Sequence, residues 1–150
     1  MIKISDELRA RIRDHEGCRD TIYSDSLGKR TVGIGHLLRP HEVDDIYKRQ
    51  PLSTDEIEEL FDIDLNRAAA GADALVEEFC PDTKLPKVVE EVIVEMVFQL
   101  GQKGVSRFKK MWAAMANKDW STAAEEMKDS RWHEQTPVRC RELASLVENA

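Results

Sequence analysis

The chain has 150 residues, 41% apolar and 34% charged, a balance that suits one compact soluble domain and excludes a disordered chain. No apolar run approaches the roughly 18 to 20 residues of a membrane span, so no membrane insertion is expected. The formal net charge of −7 argues against nucleic acid as a main partner, because phosphate binding needs clustered cations.

The charge is unevenly spread. Residues 54–100 carry thirteen carboxylates and three cations, whereas Lys103 to Lys118 carries five cations and no acid. A polyanionic partner could still meet a basic face there. The start, Met1 to Glu7, reads as a polar helix entry without the apolar core of a secretory signal, so synthesis in a cytoplasm is expected. Cys18, Cys80 and Cys140 are too few for a disulfide scaffold and have no metal-type spacing, although a Cys18–Cys140 bridge stays open. His15, His36, His41 and His133 suggest no metal site, and no cofactor is expected.

Residues 5–16 predict a helix. Ser5 suits its N-cap, Asp6 and Glu7 its first turn, Leu8 and Ile12 share a face, and Gly17 ends it. Thr21-Ile22-Tyr23 and Thr31 to Gly35 read as strands around a turn at Ser24 to Lys29, which makes a small hairpin or sheet. Residues 41–49 suggest a short helix. Ser53 with Glu56 forms a capping-box pattern, and a long helix follows over about 54–78. Residues 87–100 are apolar nearly all round, which marks a helix buried among others. Gly101 and Gly104 break the chain, and helices are expected over 105–116, near 120–129, and from Pro137 to about 147 with Thr136 as cap. Trp112, Trp120 and Trp132 fall within helical periodicity and read as packing residues.

The order is a first helix, a β-rich lobe at about 17–53, a connecting helix at about 54–78, and a helical lobe from 79–150 joined by 1–16. The fold class is α+β, mostly α, and a cleft is expected between the lobes. Glu16 closes the first helix, Asp25 sits in the hairpin turn, and Thr31 begins the returning strand. A hairpin folds back on itself, so Asp25 and Thr31 can be neighbours, and both can face the helix end. Taken singly, each is an ordinary solvated polar residue.

Together they resemble something specific. Asp14-His15-Glu16-Gly17, Tyr23-Ser24-Asp25, Gly28 and Thr31-Val32-Gly33-Ile34-Gly35-His36-Leu37-Leu38 are similar to the catalytic segment of the T-even phage lysozymes, the phage-type muramidases of glycoside hydrolase family 24. Glu16, Asp25 and Thr31 match both spacings of that family's Glu–Asp–Thr triad. A second block continues the likeness in register: Met96 to Gly101, Gly104-Val105, Phe108, Ser130-Arg131-Trp132, Gln135-Thr136-Pro137 and Arg139.

The resemblance implies a monomeric lysozyme-like domain that hydrolyses bacterial peptidoglycan between N-acetylmuramic acid and N-acetylglucosamine. Glu16 then protonates the leaving oxygen, which requires that it rest protonated, as partial burial favours. Asp25 and Thr31 orient the attacking water, which gives inversion. Leu37, Phe98 and Gln99 match residues that line the substrate cleft. Arg139 matches an arginine paired with the catalytic glutamate, and would oppose the effect of burial. His36 and Asp64 match a structural ion pair. Met111 and Glu126 depart from the family's serine and asparagine substrate contacts. The resemblance further implies an endolysin made in a host cytoplasm and released through a lesion made by another protein. Two other readings are a non-catalytic wall-binding or structural protein on the same fold, and a lytic transglycosylase, which needs the acid but no positioned water.

Overall fold

The computed structural model describes residues 1–150. Its elements in chain order are α1 (Asp6–Glu16), β1 (Arg19–Ser24), β2 (Arg30–Gly33), β3 (His36–Leu37), α2 (Val43–Arg49), α3 (Thr54–Phe79), α4 (Lys87–Ser106), α5 (Lys109–Ala116), α6 (Trp120–Lys128), α7 (Arg131–Gln135) and α8 (Pro137–Glu148). This is the expected mostly helical α+β fold with one small antiparallel sheet, in the order β1-β2-β3. No helix is long and apolar enough to cross a membrane.

The chain divides into two compact units. One is Ser5–Asn66, and the other is Met1–Ile4 with Arg67–Ala150. The sequence grouped residues 1–16 with the helical lobe, but α1 belongs with the sheet. The reason is visible on its exposed face. Arg9 and Arg13 both donate to Glu58, at 2.9 Å for Arg9 and 2.6 Å for the nearer Arg13 nitrogen. Both guanidinium groups also lie over the Phe61 ring, 4.8 and 5.3 Å from its centroid. The Arg13 bonds first, then those of Arg9, hold the Glu58 carboxyl down to about 2. Leu8 and Ile12, each next in sequence to one of these arginines, are fully buried, and Val32, Ile34, Ile46, Ile57, Phe61 and Leu65 of the same unit are fully or nearly fully buried.

The caps predicted at Ser5 and Ser53 form, whereas Thr136 precedes Pro137 at the start of α8 without a side-chain cap bond. The Ser5 hydroxyl accepts from the Leu8 amide at 3.1 Å. Ser53 and Glu56 exchange two bonds, Ser53 N–H to the Glu56 carboxylate and Glu56 N–H to the Ser53 hydroxyl, both 3.1 Å.

In the second unit α4 is the core helix. Val89, Val92, Ile93, Val94 and Met96 are fully buried. It packs against α8, and α6 packs against both α5 and α8. Gly71 on α3 lets the chain approach closely, since a Cβ there would stand 3.0 Å from a Val97 methyl. The break after residue 100 differs from expectation. Gly101, at φ 80°, interrupts α4, but helical turns resume to Ser106, and α5 starts only at Lys109. The segment predicted as one helix over 105–116 is thus the end of one helix and the start of another. Trp112 and Trp132 are buried, as their periodicity implied. Trp112 donates to the Val105 carbonyl at 3.0 Å and stacks on Phe79. All three cysteines are free, with Cys18 exposed and Cys140 buried, so the bridge left open does not form.

Candidate active site

Glu16, Asp25, Thr31, His36, Leu37 and Asp64 all belong to the unit Ser5–Asn66, while Phe98, Gln99 and Arg139 belong to the other. Within the first unit, consecutive elements supply the triad. Glu16 is the last residue of α1, where Gly17 at φ 70° turns the chain away, and its side chain is half-buried. Asp25 opens the β1–β2 turn, and Thr31 lies on β2.

The turn holds Asp25 firmly. Its Oδ1 accepts from the Leu27 amide at 2.9 Å and the Lys29 amide at 2.8 Å. Its own amide donates to the Lys29 carbonyl, and its carbonyl accepts from Gly28. The carboxylate is therefore oriented by backbone alone, with Oδ2 outside these bonds. Thr31 is 5% exposed. Its hydroxyl donates to the Lys29 carbonyl at 3.1 Å, so its lone pairs are what it can offer a third group.

Tyr23 lies on the neighbouring strand, β1. It pairs with Thr31 across the β1–β2 ladder, so the two side chains share one face of the sheet. Its phenol is pushed above its usual value, first by burial and then by the negative charge of Glu16, with Asp25 adding to it and Arg19 opposing. Arg19 lies over the Tyr23 ring at 4.7 Å. The Tyr23 phenol thus lies within the field of both carboxylates. The sequence reading had Tyr23 in its motif but gave it no role. The strand alternation that aligns it with Thr31 was the available signal.

The expected His36–Asp64 pair is present, with Nδ1 2.7 Å from Asp64 Oδ2. The structure adds a member that the sequence reading missed. Glu42 Oε2 stands 3.0 Å from the other ring nitrogen, Nε2. Glu42 is itself fixed by the Arg39 amide at 2.9 Å. His36 is raised above its ordinary value, foremost by the Asp64 hydrogen bond, against the opposing effect of burial. Leu37, one residue on, is 51% exposed and free to meet a ligand.

In the helical unit Gln99 is engaged at both ends of its amide. It accepts from the Trp132 indole at 2.9 Å and donates to the Thr136 hydroxyl at 3.1 Å. Phe98 beside it is half-buried. Arg139 is buried, and its Nε donates to Glu95 Oε2 at 2.9 Å, with Glu95 wholly buried. Within its own unit Arg139 thus meets Glu95, a residue sequence reasoning passed over inside an apolar helix. A pocket of about 640 Å³ is lined by Leu100, Phe108, Trp132 and the two departures, Met111 and Glu126. No cluster of His, Cys, Asp and Glu side chains could hold a metal ion.

Comparison with known proteins completes the description. A family model described as "Phage lysozyme" matches residues 13–149. The chain is 32% identical to "Probable T4-type lysozyme 1" of Dictyostelium discoideum, covering 89% of this chain and 88% of that protein. It is 30% identical to "Probable T4-type lysozyme 2" of the same organism, over 94% and 93%. It is also 28% identical to "Pre-baseplate central spike protein Gp5" of Enterobacteria phage T4, where it covers 91% of this chain but 26% of that longer protein.

Proposed function

Because the chain belongs to the phage lysozyme family, we propose that it is an endo-acting muramidase that hydrolyses the β-1,4 bond between N-acetylmuramic acid and N-acetylglucosamine in bacterial peptidoglycan, with inversion. The observation that supports this reading is that Glu16, Asp25 and Thr31 lie on consecutive elements of one unit, with the Glu16 carboxyl against the β2–β3 turn at Gly35 and Thr31 on the strand that leads into it.

Glu16 is the general acid. Its carboxylic acid gives a proton to the glycosidic oxygen as the bond to the anomeric carbon breaks. A water attacks that carbon from the other face and passes a proton to Asp25. The hydrogen bonds around Asp25 and Thr31 suit this division of labour. The Thr31 hydrogen is committed to Lys29, so the hydroxyl accepts from the water and does not donate to it. Asp25 Oδ1 is committed to the turn, so Oδ2 accepts the water's other proton. A water that donates both protons to these oxygens keeps its lone pair for the sugar. Leu37, Phe98 and Gln99 are assigned to the substrate cleft, with Gln99 held in orientation by Trp132 and Thr136. Arg139 and the His36–Asp64 pair support the site without touching the reacting atoms. The protein works as a monomer and without a cofactor, as an endolysin made in a bacterial cytoplasm and acting on the wall after release.

The test is lysis of outer-membrane-permeabilised bacteria followed by product analysis. We expect turbidity to fall and the new reducing ends to appear first as the inverted anomer. 1,6-Anhydro ends would replace the reading with a lytic transglycosylase, and wall binding without lysis would replace it with a binding module. Thr31→Ala should lower kcat about a hundredfold and leave KM little changed, because the water loses an orienting partner. An unaffected kcat would remove Thr31 from the mechanism.

A further inference from the structure

The proposed acid lies against a residue with no side chain. Gly35 lies in the turn between β2 and β3, at φ +66°. A Cβ built there would stand 2.7 Å from Glu16 Oε1, 2.8 Å from its Cδ and 3.0 Å from its Cγ. Ordinary Cβ contacts begin near 3.4 Å, so the two cannot coexist as they stand. The carboxyl of Glu16 occupies the volume that any other residue at position 35 would fill.

Which of the two would yield is decided by their surroundings. Ile34, just before Gly35, is 2% exposed, and His36, just after, is 5% exposed. His36 is tied to Asp64 at 2.7 Å and to Glu42 at 3.0 Å, and it pairs with Val32 across the ladder. The turn is held on both sides. Glu16 is the end of a flexible side chain on the last residue of a helix. An added methyl therefore moves the carboxyl and leaves the backbone where it is.

We propose that Gly35 is a positioning residue for Glu16: its missing side chain is the seat of the acid's carboxyl, and the clamped turn keeps that seat in place. This rests on the reading of Glu16 as the proton donor. Gly35 touches no reacting atom itself.

A neighbouring glycine supplies the control. Gly33 has nearly the same φ, +67°, but a Cβ there meets only Ile57, at 3.5 Å. Gly33→Ala and Gly35→Ala carry the same left-handed strain, so both should lower Tm by a similar few degrees. Only Gly35→Ala displaces Glu16. We expect its kcat to fall about a hundredfold with KM within about twofold of the parent, since a misplacement of about 1 Å costs that much. Gly33→Ala should stay within about threefold in both constants.

A second readout does not depend on activity. With carboxyl-labelled glutamate, the Glu16 carbon resonance, assigned by its loss in Glu16→Gln, should move in Gly35→Ala and hold its place in Gly33→Ala. Equal kcat in the two alanine variants, or an unmoved Glu16 resonance in Gly35→Ala, overturns the proposal. A parent protein without lytic activity overturns the functional reading alone. The resonance then still decides the placement, for it if moved in Gly35→Ala only and against it if not.

Discussion

Glu16→Gln is expected to abolish wall lysis and to leave the protein folded. The amide has the shape of the carboxyl and fits the seat beside Gly35. It cannot give up a proton to a leaving oxygen at any working pH. General acid catalysis contributes on the order of 10² to 10⁴ in rate, so kcat should fall about a thousandfold or more. Substrate still binds, so KM should stay close to the parent value. Tm should change little, since Glu16 is half-buried at a helix end and outside the core. Turbidity decay, Michaelis constants and a melting curve check all three. A variant that lyses walls at the parent rate removes Glu16 from the mechanism.

The second large effect is on stability and depends on pH. His36 is 5% exposed and lies between Asp64 and Glu42. Its folded value is raised above the ordinary 6.5, chiefly by the Asp64 bond. A raised folded value means that the folded state favours the imidazolium. The contribution is therefore complete below about pH 6.5 and fades as pH rises through the higher folded value. Glu42 runs the other way. Burial raises it, but the Arg39 amide and His36 outweigh burial and hold it below the ordinary 4.5. Its share is present above about pH 4.5 and lost as pH falls further. The His36, Asp64 and Glu42 group thus stabilises most between those limits.

Asp64→Asn leaves a buried imidazolium facing an amide on one side. Breaking a buried pair in this way costs about 3 kcal/mol. That loss should appear in denaturant melts near pH 5.5 and shrink steadily above neutrality. A deficit of equal size at pH 5.5 and pH 9 would show that charge is not its cause.

The chain's local chemistry was legible, and its distant pairings were not. The caps at Ser5 and at Ser53 with Glu56 involve residues three apart, so a short window contains the whole bond. The buried α4 announced itself through apolar residues on every side. The Glu16, Asp25 and Thr31 spacing lies within a single helix–hairpin run. Glu95 stayed hidden, because its partner Arg139 is 44 residues away and nothing near it in sequence explains a carboxylate in an apolar helix. Glu42 fell in the short helix expected over 41–49 and drew no role, because a bond to a ring six residues back depends on the path of the β3–α2 connection. The third strand has two residues and α7 five, both too short to show a period. The placement of α1 followed from Arg9 and Arg13 reaching Glu58, a pairing across about four dozen positions. Gly35 needed the third dimension altogether.

The confinement of Glu16, Asp25 and Thr31 to neighbouring elements of one unit bears on how the chain recovers after it opens. Closing a loop costs entropy that grows with the logarithm of its length, by about 0.6 kcal/mol for each doubling. The segment joining the three is about sixteen residues long, so the closures that reunite them are among the least costly in the molecule. The Arg139–Glu95 contact closes a loop of 44 residues. In hydrogen exchange under native conditions, the amides of Leu27 and Lys29, which clasp Asp25, report this economy directly. Glu16, Asp25 and Thr31 are therefore expected to come back together as one short-range event, ahead of the longer closures of the helical unit.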